Sequence, residues 1–100
     1  MQIKLRVNGE DKTFVNDFLS FRNHYDAIAL NEEFQKNNYS LTKQYDRLAE
    51  FVVIVFGKQF SAEELMNGIS SVETLQEVFH ECLKIGGLKV EGADEGKSAD

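Results

Sequence analysis

The pattern of apolar positions changes its period along the chain, and each change marks an element. Over residues 2–7 the alternation is strict: Ile3, Leu5 and Val7 fall on one face, Lys4 and Arg6 on the other. A period of two is the mark of a half-buried strand. Asn8-Gly9 follows, the strongest short hairpin signal, because both central residues of such a turn take positive φ. A two-residue loop there pairs Val7 with Glu10, Arg6 with Asp11, Leu5 with Lys12 and Ile3 with Phe14. The apolar face of this hairpin, residues 2–15, must find cover, since a lone hairpin is barely stable in water.

Beyond the hairpin the spacing becomes helical. Asn16 or Asp17 is a suitable cap for a helix over about 17–36, with Phe18, Phe21, Tyr25, Ile28, Leu30 and Phe34 as its apolar stripe. Asn37-Asn38-Tyr39-Ser40 breaks it, and Ser40 can cap the next helix. Phe51 to Phe56 is a run of six apolar residues whose β-branched members favour a strand. However, Leu41, Tyr45, Leu48, Val52, Val55 and Phe56 keep helical spacing over sixteen residues, too long for a typical strand. The segment therefore reads as a central helix over 41–56, closed by Gly57. Ser61 with Glu64 forms a capping-box signature for a short helix over 62–67 that ends at Gly68. Ser70 with Glu73 repeats it for a last helix over 71–85, whose stripe is Val72, Leu75, Phe79 and Cys82 and which stops at Gly86-Gly87.

The predicted fold class is α+β: a short N-terminal β-hairpin packed on a bundle of about four α-helices, forming a single domain over residues 1–90. Residues 91–100 are polar and acidic and read as a disordered tail. With 42% apolar residues and eight Phe, the chain can build a small core, of a size whose stability is modest.

The net charge of −6 argues against nucleic acid and anionic membrane as partners, since both need clustered bases. Helix, Gly-containing turn and helix over 62–83 superficially follow a DNA-binding plan. The second of those helices carries three Glu and one Lys, which would repel phosphates. No stretch approaches the roughly 20 apolar residues of a membrane span. The N-terminus has no apolar signal-peptide core. A lone cysteine, Cys82, suits a reducing compartment, so the expectation is a cytoplasmic protein.

Catalytic or metal chemistry finds little footing. His80 and Cys82 lie two apart, on different sides of a helix, with no second cluster to complete a metal site. The expectation is His80 exposed and Cys82 in the core. A Cys82–His24 nucleophilic pair has no support from spacing, and His24 beside Asp26 reads as solvated helix surface. Glu32-Glu33 and Glu63-Glu64 are helix neighbours that do not face each other. No phosphate loop follows the glycines. No cofactor is implied. What remains is protein binding, and the candidate partner-contacting residues are Phe51, Ile54, Phe60, Leu65, Met66 and Ile69, on and around the central and short helices.

Two blocks carry a resemblance to a known family: the opening V-N-G-E-D-K-T-F-V-N-D-F with Arg22 soon after, and above all F-V-V-I-V-F-G-K-Q-F-S-A-E-E-L-M-N-G-I. Across about residues 3–87 the chain resembles the tail assembly chaperones of long-tailed phages and prophages of Gram-positive bacteria. The resemblance implies a non-enzymatic protein in the cytoplasm of the bacterial host, absent from the mature virion. Its implied partners are the tape measure protein and, through a longer frameshifted form, the tail tube protein; a homo-oligomer is left open. The alternative reading is a small acidic regulatory or inhibitory protein with a single protein partner.

Overall fold

A computed structural model describes residues 1–85. The tail expected over 91–100 lies outside the described residues. Asn8 and Gly9 both take positive φ, 55° and 79°, and join β1 (Gln2–Val7) to β2 (Glu10–Val15). The antiparallel register is the expected one, with Val7 opposite Glu10, Leu5 opposite Lys12 and Ile3 opposite Phe14. Ile3 and Leu5 are buried. On the outer face Arg6 donates to Asp11 at 3.0 Å, and this hydrogen bond holds the Asp11 carboxyl below its ordinary range.

Four helices follow: α1 (Phe21–Lys36), α2 (Leu41–Val55), α3 (Ala62–Gly68) and α4 (Val72–Lys84). Each begins at a serine whose hydroxyl accepts a backbone N–H of the first turn: Ser20, Ser40, Ser61 and Ser71. Two of these starts differ from expectation. α1 opens at Ser20 rather than at Asn16 or Asp17, with Asn23 as the reciprocal partner of the box. α4 is capped by Ser71, one residue later than Ser70.

Asn16 is engaged elsewhere. Its Oδ1 accepts the Phe18 N–H at 2.8 Å, and its Nδ2 donates to the Val55 carbonyl at 2.6 Å. That second bond completes the C-terminus of α2. The last four carbonyls of a helix lack internal donors. Here Phe56 N–H serves Val52, Lys58 N–H serves Val53, Gly57 N–H serves Ile54, and Asn16 serves Val55. The Gly57 and Lys58 bonds form a Schellman turn, with both residues at positive φ, 67° and 60°.

The inward face of α1 also differs from the one expected. Asn23, His24, Ala27 and Leu30 are buried, whereas Phe18 and Phe21, expected on the apolar stripe, are 76% and 75% exposed. Tyr25 is exposed as well. His24, expected on the surface, is buried because its Nδ1 lies 2.9 Å from the Cys82 carbonyl in the last turn of α4. A buried polar ring needs such a partner.

α2 occupies the centre, touching α1, α3 and α4, while β1 lies on α3. Phe51, Val52, Val55 and Phe56 enter the core. Phe79 meets Phe51 and Phe34 edge-on, with ring centroids 5.7 and 6.3 Å away. A second aromatic contact, Phe14 against Phe60 at 5.0 Å, seats the hairpin, and Phe60 also packs on Phe56 at 5.7 Å. Gly68 permits the close approach of α3 to β1: a Cβ there would stand 2.7 Å from the Arg6 carbonyl oxygen. A backbone oxygen in a strand cannot swing aside, so Gly68→Ala must push α3 off the hairpin. The expected cost is about 1–3 kcal/mol, to be read as a lower urea midpoint.

Candidate functional site

Among the described residues, two surface grooves are walled by α2. The first lies between α1 and α2, has a volume of about 280 Å³, and is lined by Asp26, Ala29, Leu30 and Glu33 from α1 and by Arg47, Glu50, Phe51 and Ile54 from α2. The second, about 210 Å³, is lined by Tyr45 and Ala49 of α2, Met66 of α3, the Ile69–Ser71 turn, and Val72 and Leu75 of α4. At 100° per residue, Tyr45 and Ala49 fall on the side of α2 opposite Arg47, Glu50 and Ile54. The two grooves therefore open on opposite flanks of one helix.

The six candidate residues distribute unevenly over this surface. Ile54, 49% exposed, and the edge of Phe51 belong to the first groove. Met66, 52% exposed, and the half-buried Ile69 belong to the second. Phe60 and Leu65, at 3% and 0% exposure, are core side chains. Leu65 is the inward residue of α3, and Phe60 stands between hairpin and α2.

An ion-pair network fixes the rim of the first groove. Arg47 grips Glu33 with a two-pronged fork, Nε to Oε2 at 2.8 Å and Nη2 to Oε1 at 2.9 Å, and its Nη1 donates to Glu50. The Tyr39 hydroxyl donates to the same Glu33 at 2.6 Å. These bonds, that from Arg47 first, pull the Glu33 carboxyl down from 4.5 to about 2. In turn Glu33 raises the Tyr39 hydroxyl and the Arg47 guanidinium above their ordinary values. A forked Arg–carboxylate pair is geometrically demanding, and this one ties α1 to α2 across 14 positions of chain. Reading Glu32-Glu33 as helix neighbours that do not face each other left this tie out, because the partner lies beyond the turn and no local spacing announces it.

A further exposed set, also unforeseen, stands at the start of α1. Phe21 and Tyr25 lie with ring centroids 6.5 Å apart, and the Arg22 guanidinium sits 5.1 Å from the Tyr25 centroid. Arg22 also reaches Asp26 at 3.4 Å.

Cys82 and His24 do meet, but not as a nucleophile and base. The imidazole approaches the backbone carbonyl of Cys82, while the thiol is wholly buried. Burial, helped by Glu81, pushes the thiol up to about 11, so it stays protonated at neutral pH and lacks the thiolate that attack requires. His80 is exposed, as expected. Among the described residues, no group of three or more His, Cys, Asp or Glu could hold a metal ion, and no helix is long and apolar enough to cross a membrane.

The geometry defines a small α+β protein with two grooves of apolar floor flanking its central helix. Residues 1–99 match the family described as phage tail chaperone protein, and the chain belongs to that family. No curated protein and no solved structure matches it.

Two measurements check this electrostatic and thiol chemistry. Because Glu33 has a lowered value in the folded chain, its stabilising contribution is present above pH 4.5 and is lost as pH falls through about 2. The melting temperature should fall across that window, and Glu33→Gln should flatten the fall while lowering stability at neutral pH. Cys82 should react with an aromatic disulfide reagent only after denaturation; rapid labelling of the folded chain contradicts the burial described.

Proposed function

We propose that this chain is a non-enzymatic tail assembly chaperone that covers apolar helical stripes of the tape measure protein until tail tube subunits enclose it. Membership of the phage tail chaperone family over residues 1–99 carries the reading. The physical support is the pair of grooves, since an amphipathic helix is recognised by laying its apolar face into such a trough. Weak contacts repeated along one long partner would gain avidity from many copies. The net charge of −6 keeps such an assembly soluble. The chaperone acts in the cytoplasm of the bacterial host and does not remain in the mature virion. A longer frameshifted form recruits the tail tube protein. Ile54 and Met66 contact the partner directly, Phe51 and Ile69 line the troughs, and Phe60 and Leu65 support them from beneath.

Co-expression with the tape measure protein tests this. The long protein should become soluble and co-purify with many copies of the chain, as measured by light scattering on a sizing column. Met66→Ser should leave the unfolding free energy within about 0.5 kcal/mol of the parent and reduce the soluble fraction severalfold. Leu65→Ser, by contrast, should unfold the chain, because emptying a core site costs about 2–5 kcal/mol. A tape measure protein equally insoluble with and without the chain sinks the proposal. A single tight one-to-one complex with another protein would favour the regulatory alternative.

A further inference from the structure

The two grooves differ in chemistry, and the difference specifies what fits the α1–α2 groove. Its apolar floor is Leu30, Phe51 and the exposed Ile54, and Ala29 leaves one wall low enough for another backbone to come close. Its rim sets three carboxylates, Asp26, Glu33 and Glu50, against one base, Arg47. Arg47 is already committed within the rim, to both oxygens of Glu33 and to Glu50. Among the described residues, Asp26 pairs only with the distant Arg22, 3.4 Å away, with an Arg22 side chain 71% exposed, a pairing of little strength. The rim thus keeps an excess of negative charge in a chain that is itself acidic. Among the described residues, the second groove has no charged lining residue.

We infer that the α1–α2 groove receives an amphipathic helix whose apolar stripe is flanked by lysine or arginine, with those bases set against Asp26 and Glu50. This deepens the chaperone reading and rests on it for the helical nature of the partner. The stripe covers Ile54 and the edge of Phe51, and the flanking bases fix which way round the helix lies. Complementary charge of this kind selects partner and orientation more than it adds affinity. Because the fork from Arg47 already holds Glu33 and Glu50 in place, the rim loses little side-chain freedom when it is covered.

Two synthetic helical peptides test the inference, sharing one leucine stripe and differing only in lysine or glutamate flanks, each titrated calorimetrically into the full chain. At low salt the lysine-flanked peptide should bind about fivefold tighter, the size expected from one or two exposed ion pairs. That margin should close near 1 M salt, where the screening length is about 3 Å. Asp26→Asn together with Glu50→Gln should abolish the margin, and Ile54→Ser should weaken both peptides, with circular dichroism confirming the folded state. On the unsubstituted chain, cross-saturation from the lysine-flanked peptide should fall on the methyls of Ala29 and Ile54. Equal affinities, a margin that survives the double substitution, saturation elsewhere, or no binding of either peptide overturns the inference. If the margin is absent but the tape measure protein is still solubilised, the groove assignment fails and the chaperone reading stands. If the margin is present but co-expression rescues nothing, the groove assignment stands and the chaperone reading fails.

Discussion

A helix that ends inside a protein must find donors for its last carbonyls, and this fold is built around how two helices meet that demand. At the end of α2 the Val53 and Ile54 carbonyls are served by the turn at Gly57-Lys58, that of Val52 by the Phe56 N–H, and that of Val55 by Asn16. α4 finishes beside α1, where His24 supplies a partner for the Cys82 carbonyl. An unpaired buried carbonyl costs about 1–3 kcal/mol, so each tie is also a positioning device. The Asn16 tie sets where β2 leaves the core. The His24 tie sets the start of α1, and the Arg47–Glu33 fork sets its far half. Pinned at both places, α1 can flank α2 without closing over it, which leaves the groove above Leu30 and Phe51.

What could be read from the chain and what could not divide along the same line. Helix N-termini are capped by a residue next to them in sequence, so serines at 20, 40, 61 and 71 are the kind of signal a local reading can use. Ser40 and Ser61 are found that way, and so is the register set by Asn8-Gly9. C-terminal partners come from elsewhere in the fold. Asn16 has the composition of an N-cap and serves instead at the end of α2; from position 16 alone the two roles look alike. His24 beside Asp26 resembles surface until the end of α4 is known to lie against it. With His24 on the inward face of α1, Phe21 and Tyr25 go from expected core to exposed surface, and Phe18, exposed too, falls before the helix begins.

The candidate contact residues show the same division within a single segment. Phe51 to Phe56 is apolar all round, but a helix of this small domain is not covered all round. α1, α3 and α4 take Phe51, Val52, Val55 and Phe56 and leave Ile54 outside. Composition indicates that such a helix has apolar surface to spare, whereas only the packing says which side is left over. In the short helix, Leu65 and Met66 are neighbours of similar hydrophobicity, and 100° of rotation separates a core side chain from an exposed one. The acidic rim has no local signature, because Glu33 and Arg47 acquire their meaning only when the turn at 37–40 brings α1 back along α2.

The tie between His24 and Cys82 joins residues 58 positions apart, and β1 rests on α3, which is made well after it. During synthesis, then, the hairpin and the first helix leave the ribosome long before the elements that cover them. Local turns and helices form in microseconds, but the contacts that bury Ile3, Leu5 and His24 must wait for the second half of the chain. For that interval the nascent protein exposes apolar surface of its own. A protein placed in a family of chaperones thus begins its life in need of the same kind of cover.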